Sequence, residues 1–229
     1  MKILRLELQA KDLRAQADFY SNVLELPVTL ATEILEVRAG ETILTFVNAA
    51  PDFDGAYHFA FNIPANQLLA AKAWIASRVP LLCDENGRDD FDSSNWNSHS
   101  VYFKDAAGNV LEFIARRELK NPVEGEFDSR HIMNVSEIGL PSEDVIGLAD
   151  ELCATLGLSV FHQEPYESFT PVGDDNGLFI LPVKDRIWYP KSGVPAELLP
   201  IEAIVETNGR QWELRGVPYE IIFQSPSTL

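Results

Sequence analysis

The feature that most constrains the fold of this chain is an internal repeat. Residues 11–30 can be set over residues 143–162 with a constant offset of 132 (143 minus 11). In each copy an aspartate can cap a helix that follows a strand, and the helix has an apolar face. Common residues can coincide by chance, but a shared strand and a cap at fixed register favour duplication. The coinciding residues include Asp12 and Asp144, Leu24 and Leu156, and Val28 and Val160.

Two further segments begin in the same way. Tyr57–Ile63 has the composition of a strand, and the run Ala65–Arg78 has apolar residues at helical spacing. Near the end of the chain, Ile201–Val205 and Tyr219–Phe223 have the composition of strands. The sequence therefore predicts four units of βαβββ type, the last too short to hold a helix. These units cover about residues 1–50, 55–118, 131–190 and 199–225.

A charged segment separates the second unit from the third. It contains Pro122 and Gly125 and shows no hydrophobic periodicity, which is typical of a linker. We therefore predict an α+β protein with an N-terminal domain over residues 1–118, a linker over 119–130 and a C-terminal domain over 131–229. Each domain is expected to hold a mixed, mainly antiparallel curved sheet with helices on its outer face.

A second informative feature is the segment Val101–Phe113, VYFKDAAGNVLEF, which reads as one β-hairpin. Gly108 can take the positive φ that a tight turn needs. Glu112 stands between two large apolar residues in the second strand. A buried carboxylate needs a metal ion or a cation as its partner. The alternative is an edge strand whose Glu112 side chain points into water.

The hairpin resembles the closing strands of a module in the vicinal oxygen chelate superfamily, which includes glyoxalase I, extradiol dioxygenases, and fosfomycin- and bleomycin-resistance proteins. Such modules close with an aromatic strand, an Asp-x-x-Gly-Asn turn and a strand bearing a metal-binding Glu. Here Ala106 stands where the family often has Pro. The resemblance implies paired modules that form a cup, with the ligand site on its concave face. It places Glu112 at the third metal-ligand position.

Three other ligand positions follow from the same resemblance. The opening strand carries Arg5 where the family often has His, and the end of the first unit carries Thr45. The opening strand of the second unit carries His58, in YHFAF, which is similar to the family pattern. Glu7 could serve as a ligand if the strand register shifts by two, because Arg5 and Glu7 share one face of a strand.

This incomplete ligand set shapes the functional expectation. A guanidinium cannot coordinate a metal, and at about 4 Å it would repel one by several kcal/mol. We therefore expect Arg5 to pair with Glu112 and lower its pKa, with no stoichiometric metal at His58 and Glu112. His58 alone could equally be a core histidine. No cofactor is firmly implied, although a divalent metal is possible.

Three functions remain open on this basis. The first is an enzyme of the glyoxalase or dioxygenase type: a metal-dependent lyase, isomerase or dioxygenase acting on a small oxygen-rich metabolite through His58 and Glu112. The second is a metal-free binding protein similar to the bleomycin-resistance members. The third is a scaffold or sensor in which the cup is vestigial. The resemblance implies two His and one carboxylate for extradiol ring cleavage, and a second His is not found at a ligand position.

Other residues are candidates for lining the cup or a second site. The polar loop 84–97 contains Trp96 and can form a pocket rim, and Tyr102 lies on the hairpin. In the second half, Glu137 and Glu220 stand at the opening and closing positions, although both are expected to face solvent. The segment KDRIWYP, with Arg186 and Trp188, suits either a pocket lining or a surface strand with cation–π contacts.

Composition limits the remaining possibilities. The net charge of −17 argues against nucleic-acid binding and is compatible with a cationic small-molecule ligand, or simply with a solvated acidic surface. Two cysteines are too few for a disulfide framework, and no apolar run approaches the roughly 20 residues that span a bilayer. The N-terminus alternates like a strand and lacks the apolar core of a signal peptide. We expect a cytoplasmic protein without membrane partners, and a homodimer is possible.

Overall fold

The computed structural model describes residues 1–224; residues 225–229, the end of the predicted C-terminal domain, lie outside them. The three α-helices are α1 (Leu13–Asp18), α2 (Leu68–Ala76) and α3 (Val145–Leu156), and a π-helical turn, Phe19–Val23, extends α1. The strands of the first half are β1 (Lys2–Ala10), β2 (Val28–Leu30), β3 (Ile34–Ala39), β4 (Thr42–Asn48), β5 (His58–Ile63), β6 (Phe91–Ser93), β7 (Ser98–Lys104) and β8 (Val110–Arg116). Those of the second half are β9 (Asn134–Gly139), β10 (Phe169–Asp174), β11 (Gly177–Pro182), β12 (Ile201–Thr207), β13 (Arg210–Gly216) and β14 (Glu220–Gln224).

The strands form two curved, mixed sheets of seven strands each. The first sheet has the order β14-β13-β12-β1-β4-β3-β2, and the second sheet has the order β10-β11-β9-β5-β8-β7-β6. In three units the opening strand pairs in parallel with a later strand of the same unit: β1 with β4, β5 with β8 and β9 with β11. The predicted fold class, tandem βαβββ modules in two cupped sheets with a reduced last module, is confirmed.

The pairing between units crosses the two halves of the chain. Strand β1 runs antiparallel to β12, so the first unit joins the fourth. Strand β5 runs antiparallel to β9, so the second unit joins the third. Each sheet therefore takes strands from both sides of the predicted linker. The domain boundaries at residues 118 and 131 stay a prediction.

Local sequence signals explain where the helices begin. The Asp12 carboxylate accepts a hydrogen bond from the Ala15 amide at 2.9 Å, and Asp144 does the same for Gly147 at 2.9 Å. These are the two aspartates that the repeat aligns, and each satisfies an otherwise free amide of the first turn. Helix α3 ends at Gly157, whose φ of +68° suits a glycine. No helix of residues 1–224 is long and apolar enough to cross a membrane.

The helices pack with both sheets into one apolar core. Tyr20 and Leu24 follow helix α1, Ile75 lies on α2 and Leu152 on α3, and all four are buried in the same cluster. Alternate residues of the strands, such as Leu6 on β1, point into this core. The intervening residues of each sheet therefore point to the opposite, concave face, where His58 and Glu112 lie on the second sheet.

The predicted hairpin is formed by β7 and β8, with Tyr102 opposite Glu112. Its turn is bound to the first unit. The buried Asp105 carboxylate accepts hydrogen bonds from Gln16 at 2.8 Å and from Tyr20 at 3.1 Å, both in the first helical segment. This bond network fixes the hairpin, and therefore Glu112, relative to the core.

Candidate metal centre

Three ligand-type side chains meet on the concave face of the second sheet. They are His58 at the start of β5, Glu112 in the middle of β8 and Glu137 on β9. All three are buried, and one ligand atom from each lies within 4.8 Å of the other two. The strand register explains the meeting, because Glu112 and Glu137 are the two cross-strand neighbours of Ala60 on β5. The small side chain of Ala60 leaves space for both carboxylates.

The imidazole of His58 is held as a neutral ring with a free nitrogen. Its Nδ1 lies 3.0 Å from the carbonyl oxygen of Val110, and because a carbonyl only accepts, Nδ1 carries the proton and donates. Burial lowers the pKa of His58 to about 4, so the ring is neutral at physiological pH. The lone pair of Nε2 therefore remains available to bind a cation. A hydrogen bond from the other ring nitrogen to a carbonyl is the usual support of a metal-binding His.

The free nitrogen faces the two carboxylates at distances too long for hydrogen bonds. Nε2 of His58 is 3.8 Å from Oε2 of Glu112 and 3.9 Å from Oε2 of Glu137. In a tetrahedral site with bonds of about 2.1 Å, ligand atoms lie about 3.4 Å apart. The three groups would need to approach by roughly half an ångström to hold such an ion. Their residue types and spacing fit a divalent metal.

The pKa of the Glu112 carboxyl group is shifted by its surroundings. Burial raises the pKa of Glu112 to about 8, and the nearby charge of Glu137 adds to the rise. The hydroxyl of Ser100, the charge of Arg116 and the hydroxyl of Tyr102 act in the opposite direction. Two buried carboxylates at this separation cannot both ionise without a compensating positive charge. A divalent cation would supply that charge.

One compensating charge is already present. Arg116, at the end of β8, is fully buried and forms an ion pair with Oε1 of Glu137. Burial raises the pKa of Glu137, and the charge and hydrogen bond of Arg116 counter that rise. Arg116 therefore favours the ionised form of Glu137. The second carboxylate oxygen of Glu137, Oε2, faces His58.

A pocket of about 460 Å³ opens onto Glu112. The ring of Trp188 packs on His58, with the two ring centroids 4.7 Å apart. Of the three side chains of the triad, Glu112 is the one that lines this pocket. Most residues of the pocket wall are polar, and the wall also includes five aromatic side chains, namely Phe91, Trp96, Tyr102, Phe169 and Tyr189.

Comparison with known proteins bears on the fold. A scan of the sequence against protein-family models finds no match, and a search of curated proteins finds none either. Solved structures do match. A candidate dioxygenase from Bacillus subtilis has 17% identity and a TM-score of 0.63, over 94% of this chain and 81% of its own. The chain has the vicinal oxygen chelate fold.

Two other solved structures match about half of the chain. A lactoylglutathione lyase from Agrobacterium tumefaciens has 24% identity and a TM-score of 0.41, over 49% of this chain and 91% of its own. A glyoxalase/bleomycin resistance protein/dioxygenase from Nocardioides has 18% identity and a TM-score of 0.42, over 55% of this chain and 89% of its own. The Bacillus subtilis match, at 17% identity, describes the fold and leaves the activity open.

Within this vicinal oxygen chelate fold, the structure corrects the expected role of Arg5. The sequence predicts that Arg5 meets His58 and Glu112, but Arg5 lies on the first sheet and His58 on the second. Its half-exposed guanidinium is 3.6 Å from Glu36 on β3. The error has a topological cause, because the first unit pairs with the fourth rather than with the second. Arg5 therefore brings no positive charge into contact with His58 and Glu112.

The two other N-terminal candidates also lie on the first sheet. Thr45 is fully buried on β4, and its hydroxyl has no hydrogen-bond partner among residues 1–224. Glu7 on β1 stands directly opposite Glu202 on β12. Burial and the charge of Glu202 raise the pKa of Glu7. Neither residue reaches the triad, so a register shift of β1 cannot bring Glu7 to His58.

The candidates of the second half divide between the two sheets. Glu137, expected to face solvent, instead completes the buried triad. Trp188 packs on His58, while Arg186 lies at the pocket rim with its guanidinium 4.8 Å from the centroid of the Phe169 ring. Glu220 lies on β14, the edge strand of the first sheet, and pairs with Arg215 at 3.2 Å. The triad lies on the second sheet.

Trp96 and Tyr102, predicted to line the cup, both line the pocket beside Glu112. Sequence reasoning missed Arg116. A signal was present, because Arg116 lies four positions after Glu112 on an apolar strand, and residues an even number of positions apart share one face. The buried charge of Arg116 requires a partner of opposite charge. The pairing of β5 with β9 brings Glu137 to that position.

Proposed function

We propose that His58, Glu112 and Glu137 hold one divalent metal ion, and that the protein is a metal-dependent enzyme acting on a small oxygen-rich metabolite. A single observation carries this proposal. The unprotonated Nε2 of His58 faces one oxygen of each carboxylate at 3.8 and 3.9 Å. A hydrogen bond between these groups would need distances near 3 Å, whereas a metal ion holds its ligand atoms about 3.4 Å apart, which is nearer to the spacing seen here.

The ligand set also suggests which metals suit the site. One imidazole nitrogen and two carboxylate oxygens are ligands typical of Mn²⁺, Fe²⁺ or Zn²⁺, and the carboxylate share favours the harder ions. A metal held by three protein groups keeps open positions, where it can polarise vicinal oxygens of a substrate. The reaction class is then that of a lyase, isomerase or dioxygenase.

The protein's own residues define how a substrate would be held. Trp188 closes one side of His58, which keeps bulk water from that face. The hydroxyl of Tyr102 and that of Ser100 favour the ionised form of Glu112, and Arg116 favours that of Glu137. The pocket beside Glu112 leaves the remaining side open to a ligand of moderate size.

Manganese titration of chelator-stripped protein tests the proposal. We expect the unmodified chain to bind about one equivalent of Mn²⁺. Electron paramagnetic resonance of the free Mn²⁺ measures the amount bound. His58→Ala should abolish this binding because it removes the only nitrogen ligand of the triad. The control is Glu220→Gln, a change on the exposed edge of the other sheet. Equal binding by the unmodified chain and His58→Ala would contradict the proposal.

A second candidate function is a metal-free small-molecule binder. The Arg116–Glu137 ion pair favours it, because that pair satisfies one buried carboxylate without a metal. In that case Glu112 stays protonated and the pocket alone binds the ligand. The manganese titration separates the two candidates, since the binder would retain no Mn²⁺ above the His58→Ala background.

A further inference from the structure

The guanidinium of Arg116 has more donors than the protein uses. Its side chain is fully buried, and Nη2 pairs with Glu137. Nε and Nη1 have no hydrogen-bond partner among the described residues 1–224. An arginine offers five N–H donors, and a buried donor without an acceptor is costly. Such a group is suited to receive an acceptor from outside the protein, and an anion satisfies it best.

The unused donors lie directly behind the pocket wall. Arg116 is two residues beyond Ile114 on β8 and opposite Ser98 on β7, and both of these residues line the pocket. Trp96 also lines the pocket, with its ring centroid 5.7 Å from Cζ of Arg116. Phe161 lies 5.5 Å from the same carbon. Trp96 therefore lines the pocket and also lies close to the guanidinium.

The shape of the pocket restricts the body of the ligand. Five aromatic side chains line its wall, and aromatic rings pack well against flat unsaturated ligands. The rings of Phe91, Tyr102 and Tyr189 meet edge to face, so the wall presents both ring faces and ring edges. A planar ring can pack against these side chains, in the pocket that Glu112 and Trp96 also line.

The nearest positive charge to this part of the pocket is that of Arg116, and its unpaired nitrogens favour an anion. The sequence, with its net charge of −17, suggested a cationic ligand instead. Charges at the buried centre act at short range and low dielectric, so they outweigh a dispersed, screened surface charge.

We propose that Arg116 is the anion-binding group of this pocket, and that the ligand is an aromatic carboxylate whose carboxylate reaches Arg116 when Trp96 moves aside. The inference rests on the proposed function for the location of the ligand. It adds the ligand class and the residue that selects it. The carboxylate accepts hydrogen bonds from the nitrogens that Glu137 leaves free.

Calorimetric titration of the metal-stripped full chain with benzoate and benzamide tests this inference. The two probes have nearly the same shape and differ in charge. We expect benzoate to bind at least about tenfold more tightly than benzamide to the unmodified chain, in the millimolar range or better. The double variant Arg116→Gln/Glu137→Gln, which removes both members of the ion pair, should bind the two probes equally.

Two further variants keep the test decisive. Arg116→Lys keeps the charge but presents a single nitrogen, so the preference for benzoate should fall without vanishing. Arg186→Gln removes the exposed arginine at the pocket rim and should leave the preference unchanged. The inference is overturned if the unmodified chain shows no preference or binds neither probe. It is also overturned if Arg186→Gln, rather than the Arg116 variants, removes the preference.

Manganese binding measured on the same preparations distinguishes this inference from the proposed function. An unmodified chain that binds Mn²⁺ but shows no preference for benzoate would reject the anion site alone. A benzoate preference in a chain that binds no Mn²⁺ would support the anion site and reject the metal centre.

Discussion

The concave faces of the two sheets have the same scaffold and opposite character. On the second sheet, His58, Glu112 and Glu137 are buried beside Trp188. On the first sheet, Arg5 is half exposed, and Glu7 has only a like charge, Glu202, opposite it. Both faces are built from an opening strand, its parallel partner and an antiparallel strand of another unit. The same arrangement of strands therefore carries a buried cluster of ligand-type side chains on one sheet and a more exposed charged face on the other.

The largest expected difference between the two faces is in metal affinity. Glu137→Gln should lower Mn²⁺ affinity by more than about 100-fold, because it removes a ligand rather than a supporting residue. Glu7→Gln, on the first sheet, should leave the affinity unchanged. Isothermal titration of both variants checks this contrast. Equal losses would mean that the two faces share the binding of the ion.

A large difference is also expected in stability. Arg116→Met should lower the free energy of unfolding of the metal-free protein by about 3–5 kcal/mol, because the buried Glu137 carboxylate loses its partner. Arg5→Met should have little effect, since its ion pair with Glu36 is solvent-exposed. Urea unfolding measures both values. A tolerated Arg116→Met would show that Glu137 takes up a proton at little cost.

The two faces should also differ in their dependence on pH. Glu112 has a pKa of about 8 in the folded chain against 4.5 as its reference, so its contribution to stability falls as pH rises between those values. His58, with a pKa of about 4 against 6.5, contributes the opposite trend up to pH 6.5. The trends oppose each other below pH 6.5, and only the loss from Glu112 remains above it.

We therefore expect the metal-free protein to lose about 1–2 kcal/mol of stability between pH 6.5 and 8. Glu112→Gln should flatten this decline, whereas Glu220→Gln on the first sheet should not. Thermal unfolding across this pH range provides the measurement. A decline that persists in Glu112→Gln would assign the titration to another group.

The smallest expected effect is on the first sheet. Glu7→Gln should raise the stability of the protein by a few tenths of a kcal/mol, roughly the scale of one cross-strand pair, because it removes the repulsion from Glu202. The change should shrink at high salt, which screens partly exposed charges. Chemical unfolding at two salt concentrations checks it. A loss of stability on this substitution would instead indicate that Glu7 has a favourable partner.

The fold was accessible to sequence reasoning because it depends on local signals. Asp12 and Asp144 each cap a helix at the same register, and the turn around Gly108 specifies the hairpin that carries Glu112. These signals act within a few residues of the chain, so they do not depend on which units pair with each other. They predicted the modules and the position of Glu112 without any knowledge of the tertiary arrangement.

The composition of the site was less accessible because it depends on which units pair. Arg5 and Glu137 occupy equivalent positions in their units, at the same offset of 132. Only the pairing of β5 with β9 decides that Glu137, and not Arg5, meets His58. No short motif encodes this choice. Arg116 was hidden for the same reason, since its partner lies on a strand from the other half of the chain.

The central claim is that one metal ion lies between His58, Glu112 and Glu137. Anomalous diffraction from a crystal of the protein soaked in Mn²⁺ tests it most directly. We predict a single strong peak about 2.0–2.2 Å from Nε2 of His58 and from an oxygen of each carboxylate. A peak at Glu7 and Glu202 on the first sheet, or none at the triad, would contradict the account.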